Sequence, residues 1–269
     1  MSHTATAQSL VMLHGWALNL RVFDGLVSRL TDAHVGARVE IIRLDLPGHG
    51  RAREPTAWQQ PSDRAWEIGE VADHLLAQMP ERAVVLGWSL GAKLALEIAV
   101  RAPERVTGLI LVSATPKFAA TADWPHGAPA ARLDALAAAL RSDYRRTVSD
   151  FLSLQVRGSA EATSTLDHLR RALLDRGECP PDVLLRALRL LHEVDQRTSL
   201  SRIATPTLVI AGAYDRVVHP EASRALAQRI PGARYVELPR CGYAPFLSHE
   251  SDVVDLVREF LGADARSTS

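Results

Sequence analysis

RAVVLGWSLGAKLALEIAVRAPERV, residues Arg82–Val106, is the stretch that decides the fold. Its apolar run from Ala83 to Leu86 predicts a buried strand. Leu90, Leu94 and Ile98 then recur on one face of a helix, and Pro103 lies just past the helix end. Between the two stands GWSLG, Gly87–Gly91, with the G-x-S-x-G spacing of a nucleophile elbow. The glycines relieve crowding in a turn that leaves its serine strained and exposed. The hydroxyl then sits at the amino end of a helix, where backbone N–H groups and the dipole favour developing negative charge. Ser89 is the candidate nucleophile. The competing reading is a serine that merely caps a tight strand-to-helix turn.

The pattern repeats on either side. SLVMLHG (9–15), VEIIRLDLPGHG (39–50), VTGLILVSA (106–114), TPTLVIAGAYD (205–215) and ARYVELP (233–239) each read as a short apolar strand ending in a loop, and SDVVDLVREFLG (251–262) as an amphipathic helix. Apolar strands alternating with helices predict an α/β fold with a mostly parallel sheet covered on both faces. Between Thr115 and Thr205 the pattern changes to Ala-, Leu- and Arg-rich helical spacing, as in RLDALAAALRSDYRRTVSDFLSLQ (132–155). The expected organisation is a first part of the core over 1–114, a helical lid over 115–204, a second part of the core over 205–262 and a frayed tail over 263–269.

Composition narrows the function. The 269 residues are 47% hydrophobic and 23% charged, as in soluble globular proteins. Lys plus Arg equals Asp plus Glu at 31 each, which lacks the basic excess of a nucleic-acid binder. Cys179 and Cys241 make neither a disulfide framework nor a metal-ligand spacing, and read as reduced thiols. The opening MSHTATAQSLVMLHGW lacks a basic region followed by a long apolar core, and no run approaches a membrane span. The expectation is a cytoplasmic monomer with no metal, organic cofactor, nucleic-acid or membrane partner.

Other loops supply chemistry. Asp215 follows an apolar strand, where a triad acid belongs in the order Ser, Asp, His; the lesser, competing reading is an Asp that closes its own turn. The loop in LHGW (13–16) and the residue after the serine would give two oxyanion donors, the N–H groups of Trp16 and Leu90. His14 reads as a residue holding its loop, His219 as a helix-start residue ahead of Pro220, and Asp45 as a turn-former.

From about Leu10 to Leu261 the chain resembles the α/β-hydrolase fold, and within it the pimeloyl-[acyl-carrier protein] methyl ester esterases of biotin synthesis. The motifs that carry this are LHGW, DLPGHGR, LGWSLG, APERVTGLILVSATPKF, DWP, YRRTVSDFLSLQ and APFLSH. The resemblance implies Ser89, Asp215 and the residue at Tyr243 as the triad. It implies Trp16, Leu90 and Trp88 around the oxyanion and substrate. It also implies that Phe151, Leu152, Ser153, Leu154 and Gln155 line an acyl pocket beneath the lid. The implied substrate is a small acyl ester borne on acyl-carrier protein. The resembled family presents lid arginines to that acidic carrier. Arg146 matches one, whereas Asp150, Thr163 and Asp167 stand where others are expected. Arg141, Arg145, Arg157, Arg170 and Arg171 would supply a displaced basic surface, with Arg141, Arg145 and Arg146 as the candidate docking residues, although such a charge run also reads as a solvated helix face.

The departure that matters is Tyr243. The resembled family has a histidine before APF, and a tyrosine stands here. A phenol with a reference pKa of about 10 is a donor at neutral pH and a poor base. His249 is a second imidazole nearby. With Ser248 read as the cap of the last helix, it falls in that helix's first turn, which disfavours a cation. Two classes of function stay open: a serine carboxylesterase impaired by Tyr243, or a pseudo-hydrolase that binds an acyl group or carrier without turnover. A general short-chain esterase or lactonase is the variant within the enzyme class.

Overall fold

The computed structural model describes residues 8–32, 39–58, 66–157 and 161–267. In chain order these form β1 (Gln8–Leu13), α1 (Asp24–Asp32), β2 (Val39–Leu44), α2 (Ile68–Leu76), β3 (Ala83–Trp88), α3 (Leu90–Arg101) and β4 (Val106–Val112). Then come α4 (Ala130–Ser142), α5 (Tyr144–Gln155), α6 (Ala162–Asp175), α7 (Pro181–Glu193), β5 (Thr207–Gly212), α8 (Pro220–Ala227), β6 (Arg234–Leu238), α9 (Pro245–Ser248) and α10 (Glu250–Ser267). The six strands make one parallel sheet in the order β2-β1-β3-β4-β5-β6.

The strand sequences explain that order. Every residue of β3 and β5 is buried, as interior strands covered on both faces require, whereas β2 and β6 at the edges are only partly covered. α3 packs across β1, β3 and β4, and Gly108 of β4 leaves room for the ring of Phe260 from α10. The register then places the loops. Leu13 pairs with Gly87, and Trp88 pairs with Val112, so the segments after β1, β3 and β4 emerge side by side at the carboxyl edge.

Helices α4 to α7 all lie between β4 and β5. An antiparallel bridge and an ion pair between Lys117 and Asp195, the latter at 3.2 Å, join the beginning and end of this excursion. Lys93 of α3 donates to the Pro116 carbonyl at 2.8 Å beside it. Further bonds hold the excursion against the sheet edge. The Trp16 indole donates to the Leu184 carbonyl at 3.0 Å, Asn19 donates to the Ala172 carbonyl at 2.6 Å, and Arg176 meets Asp45 at 2.8 Å. Arg186 meets Glu54 at 2.6 Å.

Two expectations change. The backbone of residues 263–267, expected as a frayed tail, continues α10, as its alanines and charged residues favour; residues 268–269 and 1–7 lie outside the described residues. Ser248 ends the short helix α9 instead of capping the last one. His249 stands between the two helices, and its carbonyl accepts from the Val253 amide at 3.1 Å. Among the described residues no helix is long and apolar enough to cross a membrane.

Candidate active site

Ser89 sits at φ 58° and ψ −113°, a region that L side chains seldom adopt. The surrounding glycines make this turn possible. A Cβ on Gly91 would collide with the Leu13 carbonyl, and one on Gly87 with the Gly91 carbonyl. The Ser89 amide donates to the Val112 carbonyl at 3.1 Å and its carbonyl accepts from the Lys93 amide at 3.1 Å, so both sides of the turn are held. Leu90 begins α3, and its N–H therefore has no carbonyl one turn back to bond. The neighbouring Gly15 approaches Trp88 and Ser89 closely enough that a side chain there would press on both.

His14 is fully buried, and both its ring nitrogens are occupied. Nε2 accepts from the Leu46 amide at 2.9 Å, and Nδ1 donates to the Gly15 carbonyl at 2.8 Å. Burial pulls its pKa down to about 4, against the pull of that carbonyl. It is a neutral brace for the loop that carries Trp16, as its sequence position suggested. Asp45 accepts from the amides of Leu20 at 2.8 Å and Arg51 at 3.0 Å. Burial works against its charge, but those amides and Arg176 hold its carboxyl below the ordinary carboxylate range.

Residue 243 reaches the serine. The Tyr243 hydroxyl donates to Ser89 Oγ, and the tyrosine is 2% exposed. Burial drives its phenol well above the ordinary range; the bond to Ser89 opposes this, and repulsion from Asp215 adds to it. The hydrogen bond thus has the wrong polarity for activating a nucleophile. The phenol gives its proton toward Oγ, where a base would draw one away.

Asp215 lies behind, 5% exposed, on the loop after β5. Its Oδ1 accepts from the amides of Val217 at 2.8 Å and Val218 at 2.9 Å. Its Oδ2 is buried and without a hydrogen-bond partner among the described residues. Burial raises its pKa to about 7, opposed by the two amides and by the nearby Ser113 hydroxyl. An orphaned, buried carboxylate oxygen is costly. A second ring nitrogen would satisfy it, and a phenol whose hydroxyl is engaged with the serine does not.

Trp88 and Ser113 set the position of this loop. The Trp88 indole and the Ser113 hydroxyl each donate to the Tyr243 carbonyl at 2.9 Å, and the Trp88 ring packs edge-on against Phe246. Trp88 was expected beside the substrate. It is instead completely buried, because its side chain follows the strand into the core and braces the loop. Ser113 carries no sequence motif; its only signal is its place directly after a buried apolar strand.

A cavity of about 330 Å³ lies against α4 and α5, lined by Phe118, Leu133, Leu136, Phe151, Leu154 and Val217 among others, and Ser89 is not among its lining residues. Phe151 meets the Trp16 ring edge-on at 4.9 Å between centroids, which ties the cavity to the loop after β1. The run Phe151–Gln155 does not line it as a block, since helical residues turn about 100° at each step. Leu152 faces the groove between α5 and α6, and Ser153 bonds back to the Ser149 carbonyl at 2.9 Å. Gln155 sits beneath the helix end, where its carbonyl accepts from the Tyr243 amide at 3.3 Å. Its side-chain amide is buried, with neither polar atom bonded among the described residues.

The comparisons bear on this arrangement. A family model described as the alpha/beta hydrolase fold matches residues 8–250. Two proteins named pimeloyl-[acyl-carrier protein] methyl ester esterase are each 39% identical to this chain. That from Nitrosomonas europaea aligns over 93% of this chain and 94% of its own length. That from Stenotrophomonas maltophilia aligns over 97% and 95%. The chain belongs to the pimeloyl-[acyl-carrier protein] methyl ester esterase family of α/β hydrolases. A solved hydrolase from Pseudomonas aeruginosa PA01 superposes with a TM-score of 0.76 at 26% identity, covering 97% of this chain and 92% of that one.

The remaining polar residues fall into place in this member of the family. His219 caps α8, its Nδ1 accepting from the Glu221 amide at 3.2 Å. His249 bonds the Ser248 hydroxyl at 3.0 Å. Neither imidazole is bonded to Ser89. Arg145 and Arg146 are exposed on α5, in loose pairs with Glu178 at 3.3 Å and Asp150 at 3.8 Å. Arg141, at the end of α4, lines a separate groove against α7.

Proposed function

We propose that this chain is a serine carboxylesterase scaffold for the methyl ester of a pimeloyl group on acyl-carrier protein, with turnover suppressed by Tyr243. Ser89 Oγ is the nucleophile. The N–H groups of Trp16 and Leu90 take the oxyanion of the tetrahedral intermediate, whose collapse expels methanol. Water then releases the carboxylic acid from the acyl-enzyme. Helices α4 to α7 form the lid, with Phe151 and Leu154 against the acyl chain and Gln155 offering its unpaired amide to a polar group of the substrate. Arg141, Arg145 and Arg146 form the carrier-facing surface of a monomeric enzyme that uses no cofactor.

One observation carries this reading. Among the described residues the buried Oδ2 of Asp215 has no hydrogen-bond partner behind a residue that touches Ser89, which is the gap an imidazole fills when it bridges acid and nucleophile. A neutral phenol cannot take the serine proton, and loss of a triad member costs on the order of a millionfold in subtilisin. The same hydrogen bond favours a second reading, in which the chain binds its ester and does not turn it over.

The test is hydrolysis of a short p-nitrophenyl ester, with labelling of Ser89 by a fluorophosphonate, for this chain and for Tyr243→His. A large gain in the variant supports the esterase scaffold. A folded Tyr243→His protein that neither labels nor hydrolyses would overturn the triad. Comparing methyl pimeloyl-carrier protein with the short ester then separates a carrier-dependent enzyme from a general esterase.

A further inference from the structure

Ser113 is the first residue after β4, which lies in the sheet between β3, the strand leading to Ser89, and β5, the strand leading to Asp215. Its amide donates to the Ile210 carbonyl of β5 at 2.9 Å. The residue is fully buried, and its φ is 46°, in the left-handed region where glycine is at ease and a serine is strained. Strain of this kind persists only where the surroundings hold it. What a serine adds at such a position is a hydroxyl with one proton to give.

Two acceptors compete for that proton. The Tyr243 carbonyl takes it at 2.9 Å, yet it also takes the Trp88 indole proton at 2.9 Å, so it has a donor to spare. Asp215 has the opposite shortage: Oδ1 holds two amides, and the buried Oδ2 has no partner among the described residues. Burial raises the Asp215 pKa, and the Val217 and Val218 amides and the Ser113 hydroxyl pull against it. A surplus donor therefore stands beside an acceptor in need, and a charged acceptor left unmet costs more than a carbonyl reduced from two donors to one. The other titratable groups facing the carboxyl are Tyr243 and Cys241, both kept neutral by burial. Arg132, Arg157, Arg216, His126 and His219 line a cleft together with it. None of these is hydrogen-bonded to Oδ2 among the described residues.

We propose that Ser113 is a positioning residue that couples the acid to residue 243. Its proton lies on the Tyr243 carbonyl while Asp215 is protonated and turns to Asp215 when the carboxylate is charged, with Trp88 left to hold the carbonyl. The switch is a rotation of the hydroxyl about its Cβ–Oγ bond. It rests on the reading of Asp215 as the acid that serves residue 243 and Ser89.

The test is read on the chain as it stands, by pH titration of the Asp215 carboxyl resonance in protein labelled with carbon-13 at its aspartate side chains, the resonance being assigned by its loss in Asp215→Asn. Ser113→Ala is expected to raise the midpoint by about one pH unit, a tenfold change in proton binding, which is the size of one hydrogen bond to a charged acceptor. Ser113→Gly accepts φ 46° without strain; it is expected to raise the midpoint equally and to melt no lower than Ser113→Ala, which separates the hydroxyl from the backbone. In Tyr243→His an imidazole N–H shares the carboxylate, and the step caused by Ser113→Ala is expected to shrink by about half or more. A midpoint unmoved in both Ser113 variants overturns the proposal, and so does one that moves in Ser113→Ala and not in Ser113→Gly. The esterase reading fails separately: a folded Tyr243→His that hydrolyses no ester removes the triad, whereas the titration of the parent chain still decides whether Ser113 serves Asp215.

Discussion

The indole N–H of Trp88 donates to the backbone carbonyl of Tyr243 at 2.9 Å, so the residue before Ser89 fixes the loop that faces it. Ser113 donates to the same oxygen, and the Tyr243 amide is held by Gln155. The main chain at 243 is therefore set by groups other than its own side chain. A histidine placed there inherits that position, with one ring nitrogen toward Ser89 and the other toward the open Oδ2 of Asp215. Tyr243→His is expected to raise ester hydrolysis by about a thousandfold or more, given what a triad histidine contributes. Steady-state kinetics on a p-nitrophenyl ester checks this, and a gain below tenfold argues against it.

The brace can be tested apart from the chemistry. Trp88→Phe keeps a ring against Phe246 and removes the indole donor. Ser113 still bonds the Tyr243 carbonyl, so the expected loss is about 1 kcal/mol, the net value of one hydrogen bond. In thermal denaturation that amounts to a fall of roughly 2–4 °C for a chain of this size. In the Tyr243→His background the same change should lower kcat more than it raises KM, because it loosens the residue at 243 without touching the cavity against α4 and α5. An unchanged melting temperature together with unchanged kcat would remove the brace.

The parts that were legible from sequence are those whose signal is local. Apolar strands stopped by glycine, the crowded turn around Ser89 and an aspartate directly after β5 each declare themselves within a dozen residues. Residues that act through distant partners do not. Phe151–Gln155 read as one lining segment, yet helical rotation sends Leu152 and Ser153 elsewhere. Trp88 reads as a substrate contact because it adjoins the serine, and a strand covered on both faces buries it instead. Ser248 has the composition of a helix cap, but Pro245 starts a separate turn before it. The cleft of Arg132, Arg157 and Arg216 joins three segments that only the fold brings together.

The attachment of helices α4 to α7 to the sheet edge has its own prediction. Arg176, directly after α6, reaches Asp45, whose side chain is 4% exposed, at 2.8 Å. Removing the guanidinium leaves a nearly buried carboxylate with backbone amides only. Arg176→Ala is expected to cost about 3 kcal/mol, the lower end for breaking a buried pair. Asp45→Asn in the same background should recover part of the loss, since it removes the uncompensated charge. Denaturant unfolding of the two variants measures this, and a loss under 1 kcal/mol in Arg176→Ala would mean that the clamp is only a surface contact.

Asp215 should make stability depend on pH in the direction opposite to most carboxylates. Its folded pKa is raised to about 7, from an ordinary value of 3.8, by burial. The folded state therefore holds the proton more tightly than the unfolded chain, and between these two values stability falls as pH rises. Above about pH 7 the carboxylate is charged in both states and the full cost is present, on the order of a few kcal/mol. Asp215→Asn keeps the shape and an oxygen for the Val217 and Val218 amides but cannot ionise. It should melt higher than the parent at pH 8, with the difference closing as pH falls toward 4. In Tyr243→His the imidazole supplies a donor to Oδ2, lowers the carboxyl pKa and flattens the same curve. Melting temperatures of the three proteins across pH 4–9 decide the matter. An Asp215→Asn protein no more stable than the parent at pH 8 would mean that the acid is already charged and satisfied beside Tyr243.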